Sequence, residues 1–389
     1  MKLVVYDMKK KIGIITSSFP KHKNDSAGVF VRDFALLLAN ENFDVFVFAP
    51  EQRGAKYDEG SIRINYFPWL GGEMGLSSYN PKNPIHFFKL VNVVLSGMWS
   101  IRKFVKKNDI DICLAMWAVP SGLFALVAKI FFKKPYLVWS LGSDILKIQD
   151  YPLGKFILKK VLKNSQKLFA DGFQLAKMVE NISERKCEFL ASGRILNTEI
   201  HQVDYTRFDP TKANFMFLGR YHKVKGIDLL VESIALLSKE EKEKSLFHIF
   251  GGGPLESSIK KKVKELNLEF NTFVNSHLDG NKVFSYMSKS DFVVIPSRSE
   301  SIPLVLSEAM RAKKPLVLTN VGDMGSLATK YKIGYVTEPN AKSIAEGLSL
   351  AIKSDQNERQ SFRLGMVELE NLLDLKKSVK IFVKSLSEG

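Results

Sequence analysis

Cysteine and histidine are scarce in this chain, with two Cys and six His among 389 residues. Two thiols, Cys113 and Cys187, cannot build a disulfide framework or a metal cluster. Both lie in apolar stretches, which reads as two reduced, buried thiols in a cytoplasmic protein. Long apolar runs are missing too. The longest, around residues 87–99 and 118–132, are broken by Lys89 and Lys129. Both fall short of the ~18–20 uninterrupted residues of a membrane span. No secretory leader is expected, because Lys2 is followed by only four apolar residues before Asp7. There is no GxGxxG, and no glycine-rich loop runs into Gly-Lys-Ser/Thr. A plain NAD enzyme or P-loop ATPase therefore lacks its best signal. Low-complexity tracts and solenoid-period repeats are absent.

What is present is an ordinary folded composition, 45% apolar and 25% charged. The length suits two domains, or three. Base outweighs acid, with 57 Lys and Arg against 41 Asp and Glu, a formal charge of +16. Residues 1–200 hold 29 basic and 18 acidic side chains, and residues 201–389 hold 28 and 23. A basic surface suits nucleic acid, anionic lipid or a phosphorylated ligand, and composition does not choose among them.

Short apolar runs alternate with helical spacing. Strands are expected at residues 11–17, 44–49, 111–116, 135–140 and 167–170. Helices are expected at 29–40 and 86–107, the second so broadly apolar that it reads as core. A polar loop at 24–28 ends in Gly28. The pattern restarts with strands at 214–218, 248–250, 291–296 and 315–319 and a helix at 227–237. Beyond residue 352 the chain reads as helical, with a closing helix near 372–386. Buried strands alternating with helices make two parallel, doubly wound α/β halves, joined near 192–210. In such sheets ligands sit at the carboxyl ends of the strands, so the loops there carry the chemistry.

The first such loop of the second half reads GRYHKVKG, residues 219–226. Gly219 and Gly226 flank Arg220 and Lys225, just before a helix. A guanidinium and an ammonium at a helix start suit a diphosphate, although a solvated basic loop has the same letters. The second loop is GGGP, with Gly251 and Gly252 able to bring backbone close to a ligand or simply to turn. The third, after residue 296, reads SRSESIPLVLSEAM. Glu300 lies in the loop, Pro303 is placed to start a helix, and Glu308 follows in its early turns. Carboxylates so placed accept hydrogen bonds from sugar hydroxyls, or else cap and decorate the helix.

In this order and spacing, the motifs GR…KG, GGGP, E-x7-E and KKPLVLTNVGDM (residues 313–324) resemble the retaining glycosyltransferases of family 4. The resemblance spans essentially the whole chain and is sharpest over 214–325. It implies the GT-B architecture: two Rossmann-like domains facing a cleft, with a C-terminal helical segment. Residues 1–200 would bind the acceptor, 208–370 the nucleotide sugar, and 371–389 would pack back on the first domain. It further implies that Arg220 and Lys225 hold the diphosphate of the donor and that Glu308 binds the ribose. Glu300 would face the sugar, and the backbone of Ile302, Pro303 and Leu304 would lie against sugar and phosphates. Gly28 would line the acceptor side, and backbone near 275–278 would read the base. No cofactor or metal is expected, the positive pair doing a metal's electrostatic work. One departure lies in WSLGSD, residues 139–144, where the family often has His or Arg before Gly-Ser-Asp and this chain has Leu141. Asp144 remains, either touching an acceptor hydroxyl or capping the next helix.

The implied reaction is hexosyl transfer to a glycan or lipid-linked acceptor in envelope glycan assembly. A sugar-nucleotide epimerase of the same fold, a nucleic-acid-binding protein and a non-catalytic glycan-binding homologue are the alternatives. No nucleic-acid partner is expected, because the basic residues are not interleaved with aromatics in one patch. Lys155, Lys159, Lys163 and Lys167 recur every fourth residue. That stripe suits an anionic membrane surface or a solvated helix face. A cytoplasmic protein follows, with a peripheral place at the inner membrane face as the second option.

Overall fold

The computed structural model describes residues 9–387, except 23, 24, 26, 58, 59 and 197. The leader expectation at residues 2–7, and positions 24 and 26 of the 24–28 loop, lie outside the described residues. The chain divides into two units, Met1–Ser192 with Leu375–Gly389, and Gly193–Asp374.

Among the described residues, the first unit holds seven strands: β1 (Lys11–Thr16), β2 (Asp44–Pro50), β3 (Ile62–Phe67), β4 (Ile112–Met116), β5 (Tyr136–Ser140), β6 (Leu168–Ala170) and β7 (Glu188–Phe189). They form one sheet in the order β3-β2-β1-β4-β5-β6-β7, every pairing parallel. The central strands are apolar on both faces because helices cover both. On one face lie the helices Val29–Asn40 and Leu375–Ser385, where Phe34 meets Trp139 and Phe382 edge-on at 5.0 and 5.4 Å. On the other lie Pro84–Asn108, Ser121–Phe132, Pro152–Asn164 and Phe173–Ser183, packed over Phe48 and Phe67. The longest helix starts where it does because the Asn83 side chain accepts from the Ile85 and His86 amides, with Pro84 as first residue.

The second unit holds β8 (Ala213–Leu218), β9 (Ser245–Phe250), β10 (Thr272–Asn275), β11 (Phe292–Ile295), β12 (Leu316–Thr319) and β13 (Gly334–Thr337). Their order is β10-β9-β8-β11-β12-β13, again all parallel. Phe215 stacks between Phe247 and Phe292, at 4.9 and 5.5 Å, and fixes the middle of the core. The order reverses between β8 and β11, so the loops after these two strands diverge and leave a crevice at their carboxyl ends.

Cys113 and Cys187 are free and buried, and burial pushes both thiols up to about 12, so neither is a thiolate at neutral pH. The helix expected at 86–107 does form, but it is not all core. Its inner stripe is buried, while Phe88, Leu95 and Trp99 face solvent.

Candidate active site

Loops after β8 and β11 supply the charged groups at this crevice. Gly226 ends the β8 loop at φ 67°, and a Cβ there would lie 1.8 Å from the Pro296 carbonyl oxygen. Only glycine lets the two loops close on each other. They are then fastened at several points. Arg298 reaches back as a fork to Asp228, with both N···O distances 2.8 Å, and its Nη1 also donates to the Lys223 carbonyl at 2.6 Å. The Arg298 amide donates to the Val224 carbonyl at 2.8 Å. Lys225 Nζ donates to Glu300 Oε1 at 2.5 Å, and the Ser297 hydroxyl donates to the same oxygen at 2.9 Å. The structure therefore brings Lys225 and Glu300 together, the lysine a third exposed and the carboxylate mostly enclosed. Two helices begin here, Ile227–Leu236 after Gly226 and Leu304–Arg311 after Pro303. Their amino ends add positive potential.

The GGGP loop closes the third side. Gly219 donates to the Phe250 carbonyl, and Tyr221 to that of Gly252. Gly251 sits at φ 153°, where a Cβ would lie 1.9 Å from the Gly219 oxygen. Tyr221 is fully buried, and its hydroxyl shares its one proton between the carbonyls of Ile249 and Asn275. One tyrosine thus ties the ends of β8, β9 and β10. Arg220 follows Gly219 as an exposed residue of the same loop.

Glu308 is placed differently. It lies inside the helix Leu304–Arg311, only 3% exposed, with Oε1 at 3.0 Å from Arg194 Nη1. Arg194 also donates to the Gly280 carbonyl at 3.2 Å. Burial raises the Glu308 carboxyl above its usual range, and the arginine opposes that shift. The two glutamates of the E-x7-E pattern therefore answer to different cations. Ile302 and Pro303 are buried and Leu304 half-buried at the helix start. Among the described residues, no three His, Cys, Asp or Glu side chains gather as a metal site.

Sequence reasoning missed Arg194, Tyr221, Ser297 and Arg298. The arginine of SRSE stood two residues from Glu300 and was the one signal available. The other three owe their places to tertiary packing.

In the first unit, Gly28 caps the helix Val29–Asn40 at φ 68°, its carbonyl accepting from Val31 and Arg32. Asp144 is 2% exposed. Its two oxygens accept from the Ala118 amide at 2.5 Å and the Leu141 amide at 3.1 Å. It ties the loops after β4 and β5 together, and Leu141 packs on the core beside it. Burial raises the Asp144 carboxyl to about 6 against these amide bonds. A group raised in this way is neutral longer in the fold than in the unfolded chain. Its contribution to stability is whole below pH ~4 and is lost as pH rises through about 6. Wild type should therefore lose on the order of 2 kcal/mol relative to Asp144→Asn between pH 4 and 7. Denaturant melts across that range check it, and parallel profiles would refute it.

The family model described as Glycosyl transferases group 1 matches residues 201–364, and that described as Glycosyl transferase 4-like matches 24–172. The chain is a glycosyltransferase, and its second half matches the group 1 family. Among curated proteins it is 26% identical over 368 residues to a putative teichuronic acid biosynthesis glycosyltransferase, TuaC, of Bacillus subtilis, covering 87% of this chain and 88% of that one. An uncharacterized glycosyltransferase of Methanocaldococcus jannaschii is also 26% identical, over 65% of this chain and 68% of its own. Among solved structures, a sucrose-phosphate synthase from Thermosynechococcus elongatus superposes with a TM-score of 0.79 at 16% identity, over 98% and 99% of the two chains. Anabaena HepE in complex with UDP-glucose superposes at 0.70 and 13%, over 97% and 100%. These likenesses show the GT-B fold, and the protein is a transferase of that fold.

Proposed function

We propose that this glycosyltransferase moves a hexose-type sugar from a nucleotide diphosphate sugar to a hydroxyl of a glycan or lipid-linked acceptor, with retention at the anomeric carbon. The observation that carries the donor half is the Lys225–Glu300 pair at the switch point of the second sheet, framed by two helix amino ends. Lys225 and Arg220 hold the diphosphate, Glu300 faces the sugar, and Glu308 takes the ribose. In the transfer, the bond from the anomeric carbon to the diphosphate oxygen breaks and one to the acceptor oxygen forms on the same face. The acceptor proton passes to the departing diphosphate. The two cations stabilise the charge that develops there, so the reading gives no part to a metal. The first unit holds the acceptor, with Gly28, at the end of the loop that follows β1, on its ligand side. UDP-glucose bound to Anabaena HepE supports the donor class, and the teichuronic acid role in the name of the Bacillus relative supports cell-envelope polysaccharide as the product. The reaction would run on the cytoplasmic side.

UDP-, GDP- and ADP-sugars should be screened for thermal stabilisation of wild type and of the Arg220→Ala/Lys225→Ala double variant. At 100 times its dissociation constant the right donor should stabilise wild type by ~2.7 kcal/mol, and the variant far less. If no nucleotide sugar stabilises the wild type, the donor reading fails.

A further inference from the structure

The helix Pro84–Asn108 carries two apolar stripes. Val93, Gly97, Ile101 and Phe104 form the inner one, buried under the first sheet. Phe88, Val91, Leu95 and Trp99 form the outer one, at spacings of three and four, on a single face. They are 61%, 38%, 61% and 74% exposed. By length and mean hydropathy the helix matches a membrane span. It cannot be one here, because its inner stripe is committed to the core. It can lie on a membrane.

The charges around the stripe select the occupant. The helix contains no Asp or Glu and ends in Arg102, Lys103, Lys106 and Lys107. Arg102 sits over the Trp99 ring at 5.3 Å and over the Phe131 ring at 4.1 Å, so cation and apolar surface are continuous with the neighbouring helix Ser121–Phe132. That helix has no acidic residue either, and it ends in exposed Ile130 and Phe131 before Lys133 and Lys134. The nearby carboxylates are already engaged, Asp109 by Lys11 and Lys134 and Glu73 by Lys89, so a second copy docked on this face by a two-fold axis would bring mainly cations to cations. An anionic lipid surface supplies the opposite charge and accepts aromatic side chains at its interface. The lysine stripe of Pro152–Asn164 is a weaker candidate. Lys159 and Lys163 are both held by Glu184, at 2.7 and 2.5 Å, and Lys167, expected on the same stripe, lies beyond the end of the helix and pairs with Glu188 at 3.3 Å.

We propose that the outer face of the helix Pro84–Asn108, with the end of its neighbour, seats the protein on an anionic lipid surface. Phe88, Leu95 and Trp99 enter the interface, and the basic carboxyl-terminal turns meet the headgroups. This goes beyond the transfer reaction and holds whichever acceptor is used.

The test is co-sedimentation of the full chain with vesicles of phosphatidylcholine alone or with added phosphatidylglycerol. Wild type should bind the anionic vesicles and lose binding with salt. Phe88→Gln/Leu95→Gln should bind at least about tenfold more weakly. Lys103→Gln/Lys106→Gln should bind more weakly with a smaller salt dependence. Unchanged stabilisation of each variant by a nucleotide sugar, or an unchanged far-UV spectrum, shows that it has folded. Three results would overturn the proposal. Wild type could fail to bind anionic vesicles at low salt. The apolar variant could bind as well as wild type. Wild type could be a dimer that Phe88→Gln/Leu95→Gln makes monomeric, which would assign the face to a second copy.

Discussion

Replacing Lys225 with alanine is expected to lower kcat/KM by about 10²–10³-fold, the cost of removing one preorganised charge donor from a transition state. The melting temperature should hardly move. Lys225 is one-third exposed, so solvent screens its pair with Glu300 and the pair adds little to stability. The loop also keeps its shape without it. The Arg298–Asp228 fork and the Arg298–Val224 backbone bond hold the β8 loop against the β11 loop from outside the charged cluster. Glu300 keeps the Ser297 hydroxyl as a partner. The loss should therefore fall on transition-state stabilisation rather than on folding. Lys225→Arg separates charge from fit, because a planar fork cannot place one point charge as an ammonium does. It should recover part of the loss. Steady-state kinetics beside a thermal melt decide the matter. A drop in kcat/KM below tenfold, or one that tracks a lowered melting temperature, would remove Lys225 from the diphosphate site.

How far the sequence carried this conclusion depended on the kind of residue. Central strands such as β4 and β11 are buried on both faces, so they show as continuous apolar runs. All four unanticipated strands, β3, β7, β10 and β13, are the outermost of their sheets. An outermost strand has one neighbour and is partly exposed, so its letters mix polar and apolar with no run to find. The long helix failed in the opposite way. Counting apolar residues cannot tell a helix buried all round from one with an inner stripe for the core and an outer stripe for something else. At the site, residue types and spacing marked Arg220, Lys225, Glu300 and Glu308, because phosphate and hydroxyl chemistry calls for those groups after those strands. They did not mark the partners. Tyr221 reads as one more apolar letter in a basic loop, yet it joins three strand ends. Arg194 lies far from the motifs in sequence and reaches Glu308 only through the fold.

That last contact predicts the largest loss of stability. Glu308 and Arg194 are both nearly enclosed, with side chains 4% and 14% exposed. Removing the cation alone strands a carboxylate without a counter-charge, which costs about 3–5 kcal/mol when the pair is buried. Arg194→Met should therefore lower the melting temperature by roughly 10 °C in a unit of this size. The deficit should depend on pH with a definite sign. Burial already raises the Glu308 carboxyl, and losing Arg194 raises it further. A raised acid contributes its stability fully below its unfolded value, near pH 4.3, and loses it as pH rises through the folded value. The Arg194→Met deficit should thus be small near pH 4 and largest above neutrality. Adding Glu308→Gln should recover much of the loss, since no charge is then buried, while weakening the nucleotide sugar if Glu308 takes the ribose. Urea melts of the wild type, both single variants and the double at pH 4 and pH 8 close the cycle. Additive losses at both pH values would mean the two side chains act independently, and the pair would then be no anchor for the helix that presents Glu308.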